Sequence, residues 1–194
     1  MTGIILCGGQ SLRMGSDKGL LKLQARTWAQ TAIDKLAALN IPVKISVNEQ
    51  QYPGYSAIFP ADDLIIDNKT LDVKGPLLGL LSCHLSFPTE DLFILACDLP
   101  LMETSLLIHL NNKYKEFPGA DAYVFTNDGE REPLCGIYRP GGLASILNLL
   151  QTGKLAKFSM KFALDHLNIY TLPATEDQKK FFRNFNAHAE LNGL

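Results

Sequence analysis

Four cysteines and four histidines are present in the 194 residues, and neither set has the spacing that builds a metal centre. Cys7, Cys83, Cys97 and Cys135 form no C-x-x-C pair, and His84, His109, His166 and His188 show no H-x-x-x-H spacing. A zinc site is therefore not expected. Each cysteine has apolar neighbours, which predicts buried thiols in a reducing cytoplasm. No apolar run approaches membrane-spanning length, so no transmembrane helix is expected. Met1-Thr2-Gly3 lacks a basic n-region, so no signal peptide is read and the expected location is cytoplasmic. A net charge of −2 gives no electrostatic reason to expect nucleic acid or an anionic membrane surface. Any anion site must be local. The G-x-S-x-G elbow, the Walker pattern and the dinucleotide pattern G-x-G-x-x-G are all missing.

What remains is an ordinary globular composition, 46% hydrophobic and 20% charged, long enough for one domain over residues 1–194 with a sizeable core. Its most informative stretch is the first loop, Leu6-Cys7-Gly8-Gly9-Gln10-Ser11-Leu12-Arg13-Met14-Gly15-Ser16-Asp17-Lys18. An apolar run, Gly3 to Cys7, feeds into it. Gly8, Gly9 and Gly15 let the backbone turn sharply and come close to a ligand. Several N–H groups can then converge on one anion. Arg13 can hold a phosphate by two parallel hydrogen bonds, and Lys18 acts as a point charge. A triphosphate site is the natural first hypothesis.

Strand and helix signals alternate along the rest of the chain. Helical spacing runs over Trp28 to Leu39, and period-two alternation over Val43 to Val47 predicts a strand ending at Asn48. Ala57-Ile58-Phe59 is read as a possible short strand, and Asp62 to Lys74 as an irregular acid-rich stretch. Gly75-Pro76 opens a helix to about Phe87. The continuous apolar run Leu92 to Cys97 predicts a strand covered on both faces. Further readings are a helix from about Glu103 to Phe117 and strands over Ala122 to Thr126 and Leu134 to Tyr138, with a polar turn from Asn127 to Glu132 between them. Helices over Gly142 to Leu150 and Lys157 to His166 follow. A strand at Asn168 to Leu172 and short helices at Thr175 to Lys180 and Ala187 to Leu191 complete the chain. The pattern predicts an α/β fold of three layers, Rossmann-like, with a mostly parallel sheet. Ligands in such sheets bind beyond the carboxyl ends of the strands at a topological switch point. Lys18, Asn48, Asp67 and Asp98 should gather on that edge.

Asp98 is the sharpest single candidate. A carboxylate just past a buried strand needs a partner, and Mg²⁺ bound with phosphate oxygens is a suitable one. A helix cap or turn before Leu99-Pro100 is the bland alternative. Asn48 offers donors and acceptors at a strand end, or simply forms a turn.

The loop matches L-x-G-G-x-S-x-R-M-G-x-D-K, and Ala96-Cys97-Asp98-Leu99-Pro100 contains C-D-x-P. With Asn48, Gly75 to Gly79, Glu132-Pro133-Leu134 and Asn184-Phe185-Asn186, these stretches resemble the nucleotidyltransferases related to sugar-nucleotide pyrophosphorylases. Within that group the chain is most similar to the MobA-type molybdenum cofactor guanylyltransferases. The resemblance implies the nucleotide-diphospho-sugar transferase-like fold. It implies transfer of GMP from GTP to molybdenum-bound molybdopterin, giving molybdopterin guanine dinucleotide and pyrophosphate, with Mg²⁺ as cofactor. Carried onto this chain, it assigns Arg13, Lys18 and Asp98 to catalysis, with Asp98 also holding the metal. Leu6, Cys7, Gly8, Gly9, Lys18, Asn48, Asp67 and Asp98 would contact the nucleotide. Asp62 rivals Asp67, because both precede G-P-L-x-G. Asn184 and Asn186 fall on the pterin side, although Ala187-His188 replaces the family's Thr-Pro and a loop with an N-cap explains them equally well. Implied partners are the two substrates and, transiently, molybdenum-insertion proteins and acceptor molybdoenzymes. Gly8-Gly9 favours guanine, since cytidine relatives tend to carry Ala-Gly there. A molybdopterin cytidylyltransferase, a sugar-phosphate nucleotidyltransferase and a non-catalytic nucleotide-binding regulator are the alternatives.

Overall fold

The computed structural model describes residues 1–8, 17–23 and 25–185. A seven-stranded sheet is built in the order β5-β4-β1-β6-β8-β7-β9 from β1 (Thr2–Leu6), β4 (Val43–Val47), β5 (Leu64–Ile66), β6 (Leu92–Ala96), β7 (Ala122–Asn127), β8 (Glu130–Tyr138) and β9 (Ile169–Pro173). A two-stranded antiparallel piece pairs β2 (Lys22–Leu23) with β3 (Arg26–Thr27). The helices are α1 (Trp28–Ala37), α2 (Tyr52–Ser56), α3 (Pro76–Ser86), α4 (Thr104–Glu116), α5 (Pro140–Gln151) and α6 (Met160–Leu164). β1 pairs in parallel with both β4 and β6, β4 with β5, and β7 with β9. β8 is antiparallel to β6 and to β7, so it alone runs against the other strands of the sheet.

Alternation along the strands separates two cores. Ile5, Phe93, Leu95, Tyr123 and Phe125 face α1 and α4, where Ala29, Leu36, Leu106 and Leu110 meet them. Ile4, Leu92, Ile94 and Val124 face α3, α5 and α6, where Leu77, Leu81, Ile146 and Leu164 meet them. A sheet buried on both faces explains why β1 and β6 read as unbroken apolar runs. The three-layer expectation holds.

Three local readings need correction. Ala57 to Phe59 is not a strand: the chain turns there after α2, and Phe59 is buried because its ring stacks on Tyr55 at 5.9 Å. The edge strand is β5, inside the stretch read as irregular, where Leu64 to Ile66 pair with Ile45 to Val47. The turn read from Asn127 to Glu132 is shorter. Asp128 and Gly129 have φ of 51° and 79° and close a two-residue hairpin, for which Asp-Gly is a strong signal. The predicted helix at Ala187 to Leu191 lies outside the described residues. All four cysteines are buried and unbridged. Among the described residues no helix is long and apolar enough to cross a membrane.

Candidate functional site

The chain turns first from β1 to β4 on one side and later to β6 on the other. The switch point thus lies between β1 and β6, where an α/β sheet opens a crevice at its carboxyl edge. A cleft opens there. It is lined by Leu6 at the end of β1 and Cys7 and Gly8 after it, by Cys97 and Asp98 after β6, and by Lys18, Gln51, Pro76, Ala96 and Leu134.

Asp98 and Lys18 face each other across this cleft, with Nζ 3.8 Å from Oδ2. Asp98 Oδ1 is buried without a hydrogen-bond partner among the described residues. Burial pushes the Asp98 carboxyl above its ordinary range, and the Lys18 ammonium opposes that shift. A carboxylate with one oxygen buried and orphaned and the other set against Lys18 at a cleft is a hard oxygen donor, which suits a hard divalent cation. The residue therefore fits Mg²⁺ by its own chemistry.

Asp67 follows β5. Its N–H donates to the Val47 carbonyl at 2.9 Å, and its Oδ1 accepts from the Ser46 hydroxyl at 3.0 Å. Burial pushes its carboxyl up to about 6, against the lowering effect of the Ser46 hydrogen bond. A methyl added at Gly8 would sit 3.0 Å from Asp67 Oδ2, so the glycine lets the acid close on the loop. Gly79 has a similar purpose: a Cβ there would lie 2.6 Å from Ser46 Oγ. Its absence lets α3 press against β4 below Asp67. Asp62 is exposed and precedes β5. Its carbonyl and the Asp63 carboxylate receive Lys44 Nζ at 3.0 and 2.8 Å, at the opposite end of the strand from the cleft. Of the two rival acids, Asp67 is the one on the site's edge.

Asn48 lies at the carboxyl end of β4, as its position in the sequence required. Its Oδ1 accepts from Gln51 N at 3.0 Å, while its own N–H donates to Gln51 Oε1 at 2.9 Å. This is the reciprocal arrangement of a capping box, one turn ahead of α2. Gln51 Nε2 in turn donates to the Cys7 carbonyl at 2.8 Å and to Asp17 Oδ2. Asp17 Oδ1 also accepts from Tyr55 Oη at 2.8 Å and from Gly19 N at 2.9 Å. Burial, and after it the nearby Cys7 and Cys97 thiols, push the Tyr55 hydroxyl up, so it stays a neutral donor. Asp17, Gln51 and Tyr55 thus tie the two ends of the first loop together next to Lys18. Reasoning from sequence missed all three, although Asn48-x-x-Gln51 is a readable capping signal.

Leu6, Cys7, Gly8, Lys18 and Asp98 meet in the cleft, Asn48 touches it through Gln51, and Asp67 through Gly8. Asn184 is exposed, next to buried Phe185. Gly9, Arg13 and Asn186 lie outside the described residues. On the other flank Leu134 reaches the cleft, and Glu132 accepts from Asn127 Nδ2 at 3.3 Å where the β7–β8 register shifts.

Residues 3–166 match the MobA-like NTP transferase domain. The chain belongs to this family. A relative from Flavobacterium johnsoniae, named a probable molybdenum cofactor guanylyltransferase, is 32% identical and is covered to 96%, with all of this chain aligned. One from Campylobacter jejuni, named molybdenum cofactor guanylyltransferase, is 28% identical over 96% of this chain and 91% of its own. Among solved structures, molybdopterin-guanine dinucleotide biosynthesis protein A of Archaeoglobus fulgidus superposes with a TM-score of 0.78. It has 22% identity and covers 100% of this chain and 96% of its own, a likeness that speaks for the fold alone.

Proposed function

We propose that the protein is a nucleotidyltransferase that moves GMP from GTP to the terminal phosphate of molybdenum-bound molybdopterin. The products are molybdopterin guanine dinucleotide and pyrophosphate. The observation that carries this reading is the pairing of Lys18 with Asp98, 3.8 Å apart at the switch point of a MobA-like domain. The names of its full-length relatives point to the same reaction.

In the reaction an acceptor phosphate oxygen forms a bond to the α-phosphorus of GTP. The bond from that phosphorus to the bridging oxygen breaks in line, and pyrophosphate leaves with the electron pair. A phosphate monoester is already largely ionised near pH 7, so no side chain has to remove a proton. Positioning and charge neutralisation supply most of the catalysis in such transfers. The Gly8-Gly9 amides, Arg13 and Lys18 meet the phosphates, and Lys18 stabilises charge developing there. Mg²⁺ held by Asp98 would neutralise charge on the leaving pyrophosphate. Asp67 and Asn48 offer acceptors to donor groups of the nucleoside, with Leu6 and Cys7 forming the adjacent floor. The family resemblance assigns Asn184 and Asn186 to the pterin side. The expected setting is cytoplasmic, with transient hand-over from molybdenum-insertion proteins and to acceptor molybdoenzymes.

Gly8-Gly9 favours guanine, by comparison with the Ala-Gly of cytidine relatives. Alanine in place of Gly8 would push against Asp67 Oδ2. Titration with GTP, CTP, ATP and UTP in Mg²⁺ tests the reading. GTP should bind most tightly, because a site built around donor–acceptor pairs rejects a base that leaves them unmade. Equal affinity for CTP would overturn the guanylyl assignment.

A further inference from the structure

The loop that bears Asp98 holds a buried polar atom that its own residues do not satisfy. One carboxylate oxygen of Asp98 is buried without a partner, so the loop would gain by swinging that oxygen into water. Two contacts from elements distant in sequence oppose this. Phe185 N donates to the Asp98 carbonyl at 3.0 Å. Lys35, on α1, donates from Nζ to the Pro100 carbonyl at 2.7 Å. A lysine ammonium half withdrawn from water is unfavourable in itself, and burial lowers the Lys35 pKa to about 8. The fold nonetheless spends it on this carbonyl.

Phe185 is held by more than its N–H. Its ring is completely buried and packs on Trp28, the chain's single tryptophan, with Leu21 and Leu101 closing the sides. The Arg183 guanidinium stacks 5.0 Å from the ring centre. The same small cluster touches three parts of the site. Leu101 belongs to the Asp98 loop. Leu21 follows Lys18, its N–H donating to the Lys18 carbonyl at 3.1 Å. Trp28 begins α1, and its N–H donates to the Leu21 carbonyl at 2.9 Å.

We propose that Phe185 is a positioning residue for Asp98, seated on Trp28 so that its own main-chain N–H pins the Asp98 carbonyl while Lys35 pins the Pro100 carbonyl. The two pins keep the carboxylate turned into the cleft and fix its distance from Lys18. The inference rests on the reading of Asp98 as the Mg²⁺ ligand. Groups that orient a metal ligand commonly cost 10- to 100-fold in metal affinity or activity when removed.

The test measures GTP affinity in Mg²⁺ and in EDTA, with no acceptor present, so no turnover intervenes. The readout is the gain in affinity that Mg²⁺ confers. Loss of ordinary packing would weaken binding under both conditions alike, whereas loss of positioning lowers the gain itself. Phe185→Ala should cut the gain about tenfold. Phe185→Leu, which keeps an apolar side chain seated on Trp28, should retain most of it; the main-chain N–H is present in both variants and only its seating differs. Lys35→Met should cut it several-fold from the other pin, and it decides the matter if Phe185→Ala does not fold. An unchanged gain in Phe185→Ala and Lys35→Met, with the gain lost in Asp98→Asn, overturns this proposal and leaves the metal assignment standing. An unchanged gain in Asp98→Asn overturns both.

Discussion

The cleft end of the parallel flank and the outer face of the hairpin flank treat their polar groups differently. Beside the cleft, at the carboxyl end of the β5-β4-β1-β6 flank, polar side chains are withdrawn from water and interlocked, while farther off Lys44 with Asp63 and Lys69 with Glu49 pair at the surface. Asp67 leans on Ser46, Asp17 gathers Gln51, Tyr55 and Gly19, and Asp98 meets Lys18. On the β8-β7-β9 flank the charges sit outside as simple pairs: Arg131 with Asp165, Lys161 with Glu130, Lys179 with Asp128. Exposed pairs of this kind contribute little to stability. Buried carboxylates cost stability and persist where something else needs them. The proposed chemistry falls on the parallel flank, with the hairpin flank as a wall that reaches the cleft through Leu134.

The largest expected effect tests that contrast directly. Lys18→Ala should lower GMP transfer by about 10²- to 10³-fold, the range for removing one charge-stabilising donor. Its melting temperature should hardly move, since the ammonium end lies in the cleft and not in the core. Near-normal transfer by the folded variant would remove the basis for assigning the cleft to phosphates.

Asp67 gives a pH signature. Its carboxyl is raised from 3.8 to about 6 by burial. Nucleotide binding that needs the carboxylate should therefore weaken as the pH falls below about 6, by roughly tenfold per unit. Asp67→Asn should bind GTP less tightly at pH 8 and show a flatter profile between pH 5 and 8. The stability effect has the opposite sense. A raised carboxyl stabilises the fold below its unfolded pKa, and that contribution is lost as the pH rises through about 6. Asp67→Asn should thus melt higher than the parent at pH 8 and not at pH 4. A parent GTP affinity flat from pH 5 to 8 would remove Asp67 from the nucleotide's contacts.

Gly79→Ala probes the packing beneath Asp67. A Cβ 2.6 Å from Ser46 Oγ must push α3 or Ser46 aside, at a cost of about 1–3 kcal/mol in denaturant unfolding. The Asp67–Ser46 bond should suffer with it, and GTP affinity should drop in parallel. Unchanged stability would show that the approach of α3 to β4 is looser than the structure has it.

The smallest effect belongs to the other flank. Lys161→Ala, which breaks the pair with Glu130, should leave both melting temperature and GMP transfer unchanged within error. A clear loss of transfer would mean that the hairpin flank takes part in the chemistry, and the contrast would fail.

How much of this was legible in the sequence depended on length and on burial. Val43 to Val47 and the run from Leu92 were readable because period-two alternation and continuous apolarity both mark strands, even though Ser46 on the polar face of β4 is buried as well. β5 was not, because three residues amid aspartates give no period. Ala57 to Phe59 misled because the apolarity of Phe59 serves the Tyr55 ring and not a ladder, while Ile58 is more than half exposed. The hairpin is legible in Asp128-Gly129, but the polar residues on either side of it resemble turn residues and hide that Asn127 and Glu130 already pair in the ladder. At the site, Lys18 and Asp98 could be named from the residues that flank them. The Asp17–Gln51–Tyr55 network could not, since its members are up to 38 residues apart and only the fold joins them. The Phe185 contact with Asp98 spans the chain in the same way.

The central claim is that Asp98 holds the metal at the head of the parallel flank. The direct measurement is GMP transfer against Mg²⁺ concentration for the parent and for Asp98→Asn, with thermal stability followed in parallel. Asparagine keeps the shape and caps a helix about as well as aspartate does, but it lacks the anionic oxygen a hard cation prefers. The account predicts a Mg²⁺ response shifted to higher concentration or abolished, at nearly unchanged stability. A parental Mg²⁺ curve in Asp98→Asn would contradict it.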